Sequence, residues 1–242
     1  MPIVIELRLK ASWQARPDTR QLHGLACALF ENEETDHFGH QKPFAVWPIA
    51  PAPAGAAHDW EWRTAWLPDK LPQASALVPD RLRLGHVTCT VTEASHRRVT
   101  RAQLAAGPAL SRATVTFRSP TYFSQNGSNL LLPDPRLIVG SWRRHWNTSL
   151  AEADALTIDE DSWRESHRAI RLAEFNLQTE RRDSGRGHER EGFTGSATLR
   201  VTKGAPAAAR AVFGTLVRFA EFCGTGAQTT HGFGATSVSV DT

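Results

Sequence analysis

Cysteine is scarce in this chain: Cys27, Cys89 and Cys223 are the only three in 242 residues, widely spaced and without a Cys-x-x-Cys pair. That number and spacing exclude a disulfide framework and a cysteine-built zinc site. Each sits in an apolar pattern, so reduced core thiols are expected. No apolar run approaches the length needed to span a bilayer, and no membrane partner is expected. Met1 to Leu9 alternates with Glu6 and Arg8 inside it. That is a strand rather than a secretory leader, and a cytoplasmic protein is expected. Lysine is sparse too: only Lys10, Lys42, Lys70 and Lys203 are lysines among the 28 basic residues. Arginine makes planar, bidentate contacts to phosphate, which points to a nucleic-acid or phosphate partner. A GC-rich genome favours arginine regardless of function, and both readings stand. A formal charge of +3, with 40% hydrophobic and 22% charged residues, is that of a soluble globular protein of one large or two ordinary domains.

Glycine carries the most specific signal. Gly224-Thr225-Gly226 and Gly232-Phe233-Gly234 are separated by five residues. The preceding stretch, Ala207 to Cys223, places Val212, Leu216, Phe219 and Cys223 on one helical face. The residues from Ala235 to Val240 alternate as a strand. Glycine allows positive φ and close approach of backbone N–H groups to an anion. In mononucleotide loops the strand comes first and the helix follows, and one class ends in Lys-Ser/Thr. Neither holds here, which argues against a mononucleotide site.

The rest of the chain divides into two similar halves. Ile3 to Leu9 is a strand pattern. Asp18 is an expected N-cap with Gln21 at the capping-box position, opening a helix with Leu22, Leu25, Ala26, Leu29 and Phe30 on one face. Strands are expected at Phe44 to Ile49 and Trp60 to Trp66. A short helix is expected over Leu71, Ala74 and Leu77. A strand kinked near Gly85 is expected from Leu82 to Val91. Strand, helix, strand, strand, helix, strand is the ferredoxin-like order. The second half repeats it: a strand over Ala113 to Phe117, a helix capped by Asp134 with Pro135 first, strands at Phe175 to Thr179 and Phe193 to Val201, the Ala207–Cys223 helix and the final strand. The expected fold is α+β, two tandem ferredoxin-like (βαββαβ, RRM-like) domains with a glycine-rich loop, spanning 1–105 and 110–242. Arg181 to Arg190 forms a basic hairpin loop between the two middle strands, suited to a phosphate backbone or simply solvated. The eight tryptophans mostly occupy apolar patterns and are expected in the core.

Four passages, in order, resemble the CRISPR-associated repeat-processing endoribonuclease family of the RAMP superfamily. They are Lys42-Pro43-Phe44-Ala45-Val46-Trp47-Pro48-Ile49; Phe117 to Phe123 leading through Leu132 to Leu137, with Gly140-Ser141 and Arg144-His145-Trp146-Asn147; Gly192-Phe193-Thr194-Gly195; and the paired glycines of the loop. The resemblance implies cleavage of CRISPR repeat precursor RNA into guide RNAs. The implied chemistry needs no metal or other cofactor: the ribose 2′-hydroxyl attacks the adjacent phosphate, leaving a cyclic phosphate and a 5′-hydroxyl. Such a reaction needs a proton acceptor, a proton donor and a cation. Histidine suits the first two because its ordinary pKa lies near neutrality, and lysine or arginine suits the third.

The resemblance places the histidine a few residues before the Lys-Pro-Phe strand, a window that holds His37 and His40, with Lys42 beyond. His37, five residues ahead of Lys42, fits the register better. The family pattern of His followed by Asp is not kept, since Phe38 follows His37 and Asp36 precedes it. Tyr122, the only tyrosine, is a further candidate at the reacting phosphate, or a packing residue. Candidate RNA contacts are Arg136, Arg143 and Arg144 on the Asp134 helix; Arg181, Arg182, Arg186 and Arg190 in the basic hairpin; and Gly224, Gly226, Gln228, His231, Gly232 and Gly234 in the loop. His23, beside an apolar helix face, is expected to be structural. Other effector-complex subunits and a second copy of the chain are possible partners. A non-catalytic RAMP subunit that holds guide RNA would share the glycine loop, but the His37/His40/Lys42 cluster favours the enzyme. A generic ferredoxin-like protein for a small ligand fits the basic hairpin and four ordered motifs less well.

Overall fold

The computed structural model describes residues 2–12, 17–31, 42–53, 58–69, 78–149, 156–184 and 189–240. His37, His40, Arg186 and the helix expected over Leu71 to Leu77 lie outside the described residues. The first unit contains β1 (Ile3–Lys10), α1 (Thr19–Phe30), β2 (Phe44–Val46), β3 (Ala50–Pro51), β4 (Asp59–Trp66), β5 (Arg81–Leu84) and β6 (Val87–Arg98). Its antiparallel sheet runs β2-β4-β1-β6-β5, with β3 also beside β4. A short helix, α2 (Arg101–Ala106), leads into β7 (Arg112–Thr121), β8 (Phe123–Gln125), β9 (Ser128–Leu130), α3 (Pro135–Thr148), α4 (Glu160–Ala169), β10 (Ile170–Asp183), β11 (Glu189–Val201), α5 (Ala207–Cys223) and β12 (Thr236–Ser239). The second main sheet runs β10-β11-β7-β12, and β8 and β9 form a separate hairpin. β1 lies between β4 and β6, and β7 between β11 and β12, the central placing of the first strand that the ferredoxin-like order requires.

Local sequence explains where the helices start. Asp18 accepts from the Gln21 amide at 2.8 Å, and the Gln21 side chain accepts from the Asp18 amide at 2.9 Å, a complete capping box. Asp134 likewise accepts from the Arg136 amide at 2.7 Å. Four local expectations change. Gly85 sits in the turn of a β5–β6 hairpin with φ of 60°, not in a kinked strand. The boundary stretch holds α2, and α4 enters where no element was expected. The basic loop is mostly strand, with Arg181, Arg182 and Asp183 in register with Glu191, Arg190 and Glu189.

The alternation in β1 divides the core. Ile3, Ile5, Leu7 and Leu9 bury against the apolar face of α1. Val4 points the other way and joins Ala45, Trp47, Ala65 and Leu67 in one core with α3 and α5 of the second unit. Arg101, only 1% exposed, crosses this junction. It donates to the Trp146 carbonyl at 3.1 Å and the Leu67 carbonyl at 3.0 Å, and its guanidinium lies 4.7 Å from the Trp146 ring and 5.1 Å from Phe219. The described helices include none long and apolar enough to cross a membrane.

Arg101→Met should therefore cost about 3 kcal/mol of stability, because two buried carbonyls lose their donor. Urea unfolding checks this, and a loss below about 0.5 kcal/mol would mean that the junction does not depend on Arg101.

Candidate functional site

Between α5 and β12 the backbone folds tightly on itself. The Thr225 amide donates to Gly234 O at 2.8 Å, the Gly234 amide to Pro120 O at 3.0 Å, and the Ala227 amide to Tyr122 O at 2.9 Å. The Gly226 amide donates to Ser141 Oγ at 3.1 Å. A Cβ on Gly234 would stand 1.9 Å from Thr225 O, and one on Gly226 would stand 2.4 Å from Tyr122 O. Both residues also have positive φ, 65° and 84°. Only glycine fits such contacts. The amides of Gly224, Gly226 and Gly234 thus point to partners within the protein, and these glycines serve close backbone approach rather than an open anion cradle. Beneath the loop, Trp142 Nε1 donates to Thr225 Oγ1 at 2.8 Å; Thr225 Oγ1 lies 2.8 Å from Thr236 Oγ1, which donates to Gly234 O at 2.8 Å. The interior therefore holds the loop by side chains from α3 and β12.

What the loop presents outward is the segment Gln228 to His231. Gln228 adopts the left-handed conformation, with φ of 55° and ψ of 35°. Tyr122 O–H donates to its Oε1 at 2.7 Å. Tyr122 itself is buried, edge-on to Phe233, and burial raises its pKa. The phenol supports the loop from below and is not displayed in the groove. His231 stacks on His23 of α1, with ring centroids 4.0 Å apart and planes 6° apart. His23 Nδ1 lies 2.9 Å from Thr230 O; a carbonyl only accepts, so that nitrogen carries the proton. His23 is thus the structural residue expected, and it ties the first unit to the loop of the second.

A groove of about 410 Å³ lies beside this stack, lined by Lys42, Arg144, His145 and the loop residues Gly226 to His231. The Lys42 ammonium lies 2.7 Å from the Glu31 carboxylate, and both side chains are nearly buried. The pair joins the end of α1 to the chain entering β2. Burial, with Arg144 adding to it, pushes His145 down to about 4. Burial, then His23, Arg20 and Arg190, pushes His231 down to about 4 as well.

A second cavity of about 620 Å³ continues from the first, sharing Arg144, Thr148, Gly226 and Ala227 with it. Its walls are α3, α4, β8 and the loop. Arg136 and Arg144 are exposed here, and neither side chain has a hydrogen-bond or ion-pair partner among the described residues. Arg143 differs. Its Nε donates to Ile158 O at 3.0 Å and its Nη1 to Glu160 at 3.0 Å, so it braces α4 against α3. Among the described residues, neither cavity lining contains a carboxylate.

The basic hairpin is more neutral than its sequence suggests. Arg181 is 2.5 Å from Glu191, and Arg182 is 3.3 Å from Glu180. Arg182 also donates to Gly232 O at 3.4 Å, and Arg190 lies over the Tyr122 ring at 6.0 Å. The structure therefore gathers Lys42, Arg136, Arg144, Gln228 and His231 along one trough, with Arg182 of the hairpin bonded to the loop at Gly232 O and Arg190 over Tyr122. His145 entered only as part of the Arg144-His145-Trp146-Asn147 passage and not as a site candidate; α4 was not expected, although its sequence carries the Asp159 cap, acidic Glu160 and Asp161 in the first turn and His167 and Arg168 in the last.

Residues 115–236 match the family model described as CRISPR-associated endoribonuclease Cas6. A Mycobacterium tuberculosis protein named CRISPR-associated endoribonuclease Cas6 is 29% identical over 229 residues, covering 90% of this chain and 70% of that protein. A solved Cas6 product complex is similar at a TM-score of 0.83 and 27% identity, covering 99% of this chain and 100% of that one. Thermus thermophilus Cas6 gives a TM-score of 0.72 at 26% identity, covering 99% and 98% of the two chains.

The two depressed histidines predict a pH dependence. Each is neutral when folded down to about pH 4, but takes up a proton near 6.5 when unfolded. Their contribution is complete above pH 6.5 and is lost as pH falls toward 4. Urea unfolding from pH 7 to 4 should show declining stability, and His231→Asn should remove about one proton from the uptake on unfolding. An unchanged slope in that variant would contradict the assignment to His231.

Proposed function

The chain belongs to the CRISPR-associated endoribonuclease Cas6 family, and on that footing we propose that it cuts CRISPR repeat precursor RNA into guide RNAs. The observation that carries this reading is the continuous trough that starts at the junction of the two units and runs on between α3 and α4 of the second. It holds exposed Arg136 and Arg144 and, among the described residues, has no carboxylate on its lining. Unneutralised arginine over that length suits a polynucleotide backbone. The known Cas6 product complex has the same overall fold.

In the proposed reaction the 2′-hydroxyl oxygen attacks the adjacent phosphorus while the bond from phosphorus to O5′ breaks. The products are a 2′,3′-cyclic phosphate and a 5′-hydroxyl. One group takes the 2′ proton and another protonates O5′. His37 and His40 are the candidates, with His37 preferred for its register ahead of Lys42. Their segment joins Glu31 to Lys42, whose side chains form an ion pair at 2.7 Å, and Lys42 lines the groove. Arg144, at the meeting of the two cavities, is the cation proposed for the phosphate; Lys42 shares its charge with Glu31. The domain division at 1–105 and 110–242 belongs to the same proposal, supported by the two separate sheets. Other effector-complex subunits and a second copy of the chain remain candidate partners, with the cytoplasm the expected compartment.

The test is incubation of the protein with its cognate repeat RNA in EDTA, followed by end-group analysis. Cleavage should give cyclic phosphate and 5′-hydroxyl ends. His37→Ala or His40→Ala should lower it by about 10²-fold or more while RNA binding persists. Tight binding without cleavage by the wild type would instead favour a subunit that only holds RNA. Arg144→Ala should weaken binding by about tenfold and reduce the salt slope by about one. Undiminished binding and an unchanged salt slope would remove Arg144 from the interface.

A further inference from the structure

The α4 wall of the larger cavity has a chemistry that phosphate contact alone does not use. Arg143 fixes this helix through Ile158 O and Glu160, and its guanidinium lies 5.4 Å from the Trp163 ring. Trp163 lies over Gly140 of α3, its ring 3.5 Å from where a Cβ would stand. His167, one turn on, stacks with Trp163 at 5.2 Å and 28°. Its Nδ1 lies 2.9 Å from Trp163 O. A carbonyl oxygen only accepts, so Nδ1 carries a proton, and in that tautomer of the imidazole Nε2 is the acceptor. Both aromatic residues line the cavity, as do exposed Arg136 and Arg144. Its volume of about 620 Å³ is in the range of sites that enclose a small organic group.

Charge distinguishes this cavity from the similarly large one on the open face of the first sheet, of about 650 Å³. There Arg8 pairs with Glu93 at 2.9 Å and Glu61 at 3.5 Å, and Arg63 approaches Glu6 at 3.9 Å. That face is internally neutralised. The α3–α4 cavity offers positive charge, a fixed aromatic pair and a directed acceptor together, which match the phosphate, ring and amino edge of one nucleotide.

We propose that the α3–α4 cavity is a subsite for a single unpaired nucleotide of the RNA, its phosphate on Arg136 and Arg144 and its base against Trp163 and His167. The base offers an N–H to His167 Nε2. Sequence-specific RNA recognition generally uses unstacked bases held by aromatic side chains and edge hydrogen bonds. This subsite rests on the RNA-cleaving reading of the same trough.

The experiment measures binding of wild type, His167→Ala and His167→Gln to the cognate repeat RNA and to a series carrying one abasic position each. His167→Ala should weaken binding of the intact repeat by about tenfold, and Gln, whose side chain also accepts, should restore most of it. At one abasic position, wild type and His167→Ala should bind equally. Equal binding of the intact repeat by both proteins would overturn the subsite. So would a loss of the same size at every abasic position, which marks a structural role. A loss that tracks a 2′-deoxy substitution instead would assign the contact to sugar and overturn the base contact. Wild-type protein that binds the repeat without cleaving it would bring down the nuclease reading alone, because the binding comparison does not depend on cleavage.

Discussion

The backbone of the glycine-rich loop approaches its neighbours so closely that no side chain fits between them, and the rest of the site inherits its geometry from that contact. Hydrogen bonds from Thr225, Ala227 and Gly234 pin the loop to itself and to β7. Ser141 and Trp142 pin it to α3. Thr230 O receives His23 of α1. One short segment thus meets the sheet, the helix that carries the exposed arginines and the helix of the other unit. The trough follows from where those elements are held.

This accounts for what was legible in the sequence and what was not. The glycines were visible, and their spacing marked a backbone freed of Cβ atoms. It did not reveal whether an anion or another stretch of backbone would come close, because both demand the same residue. The Asp18–Gln21 box and the Ala207–Cys223 helix were legible since each rests on local chemistry or sustained apolar periodicity. The α4 helix carries local marks too, the Asp159 cap with an acidic first turn and a basic last turn, but it buries only Ser166 and Ala169 and so has no apolar stripe to make them stand out. The arginines show the same divide. Arg136 and Arg144 are displayed as their position suggested. The role of Arg143 depends on Glu160 and Ile158, partners that sequence spacing does not identify. The basic hairpin lost much of its expected charge to the carboxylates of Glu180 and Glu191.

The modest formal charge of +3 conceals a sorting of signs. On the open face of the first sheet, arginine and glutamate alternate across β1, β4 and β6 and cancel. Along the trough, the described lining holds no carboxylate, and Arg136 and Arg144 are exposed there, while Arg143 is paired with Glu160. Composition alone understates the field an approaching polyanion would meet, since interactions are dominated by charges within about a Debye length, roughly 8 to 10 Å at physiological salt.

The shared core beneath the junction gives the molecule a stiffness of its own. Val4, Ala45, Trp47, Ala65 and Leu67 lie in the same packed interior as α3 and α5, and Arg101 bonds to residues on both sides. Such a seam is apolar and shared by both units, and close-packed interiors deform little. On the proposed function, the trough is a fixed surface to which an RNA would have to conform. On that same reading, discrimination among RNAs would extend to bases the protein never touches, through the energy each sequence requires to conform.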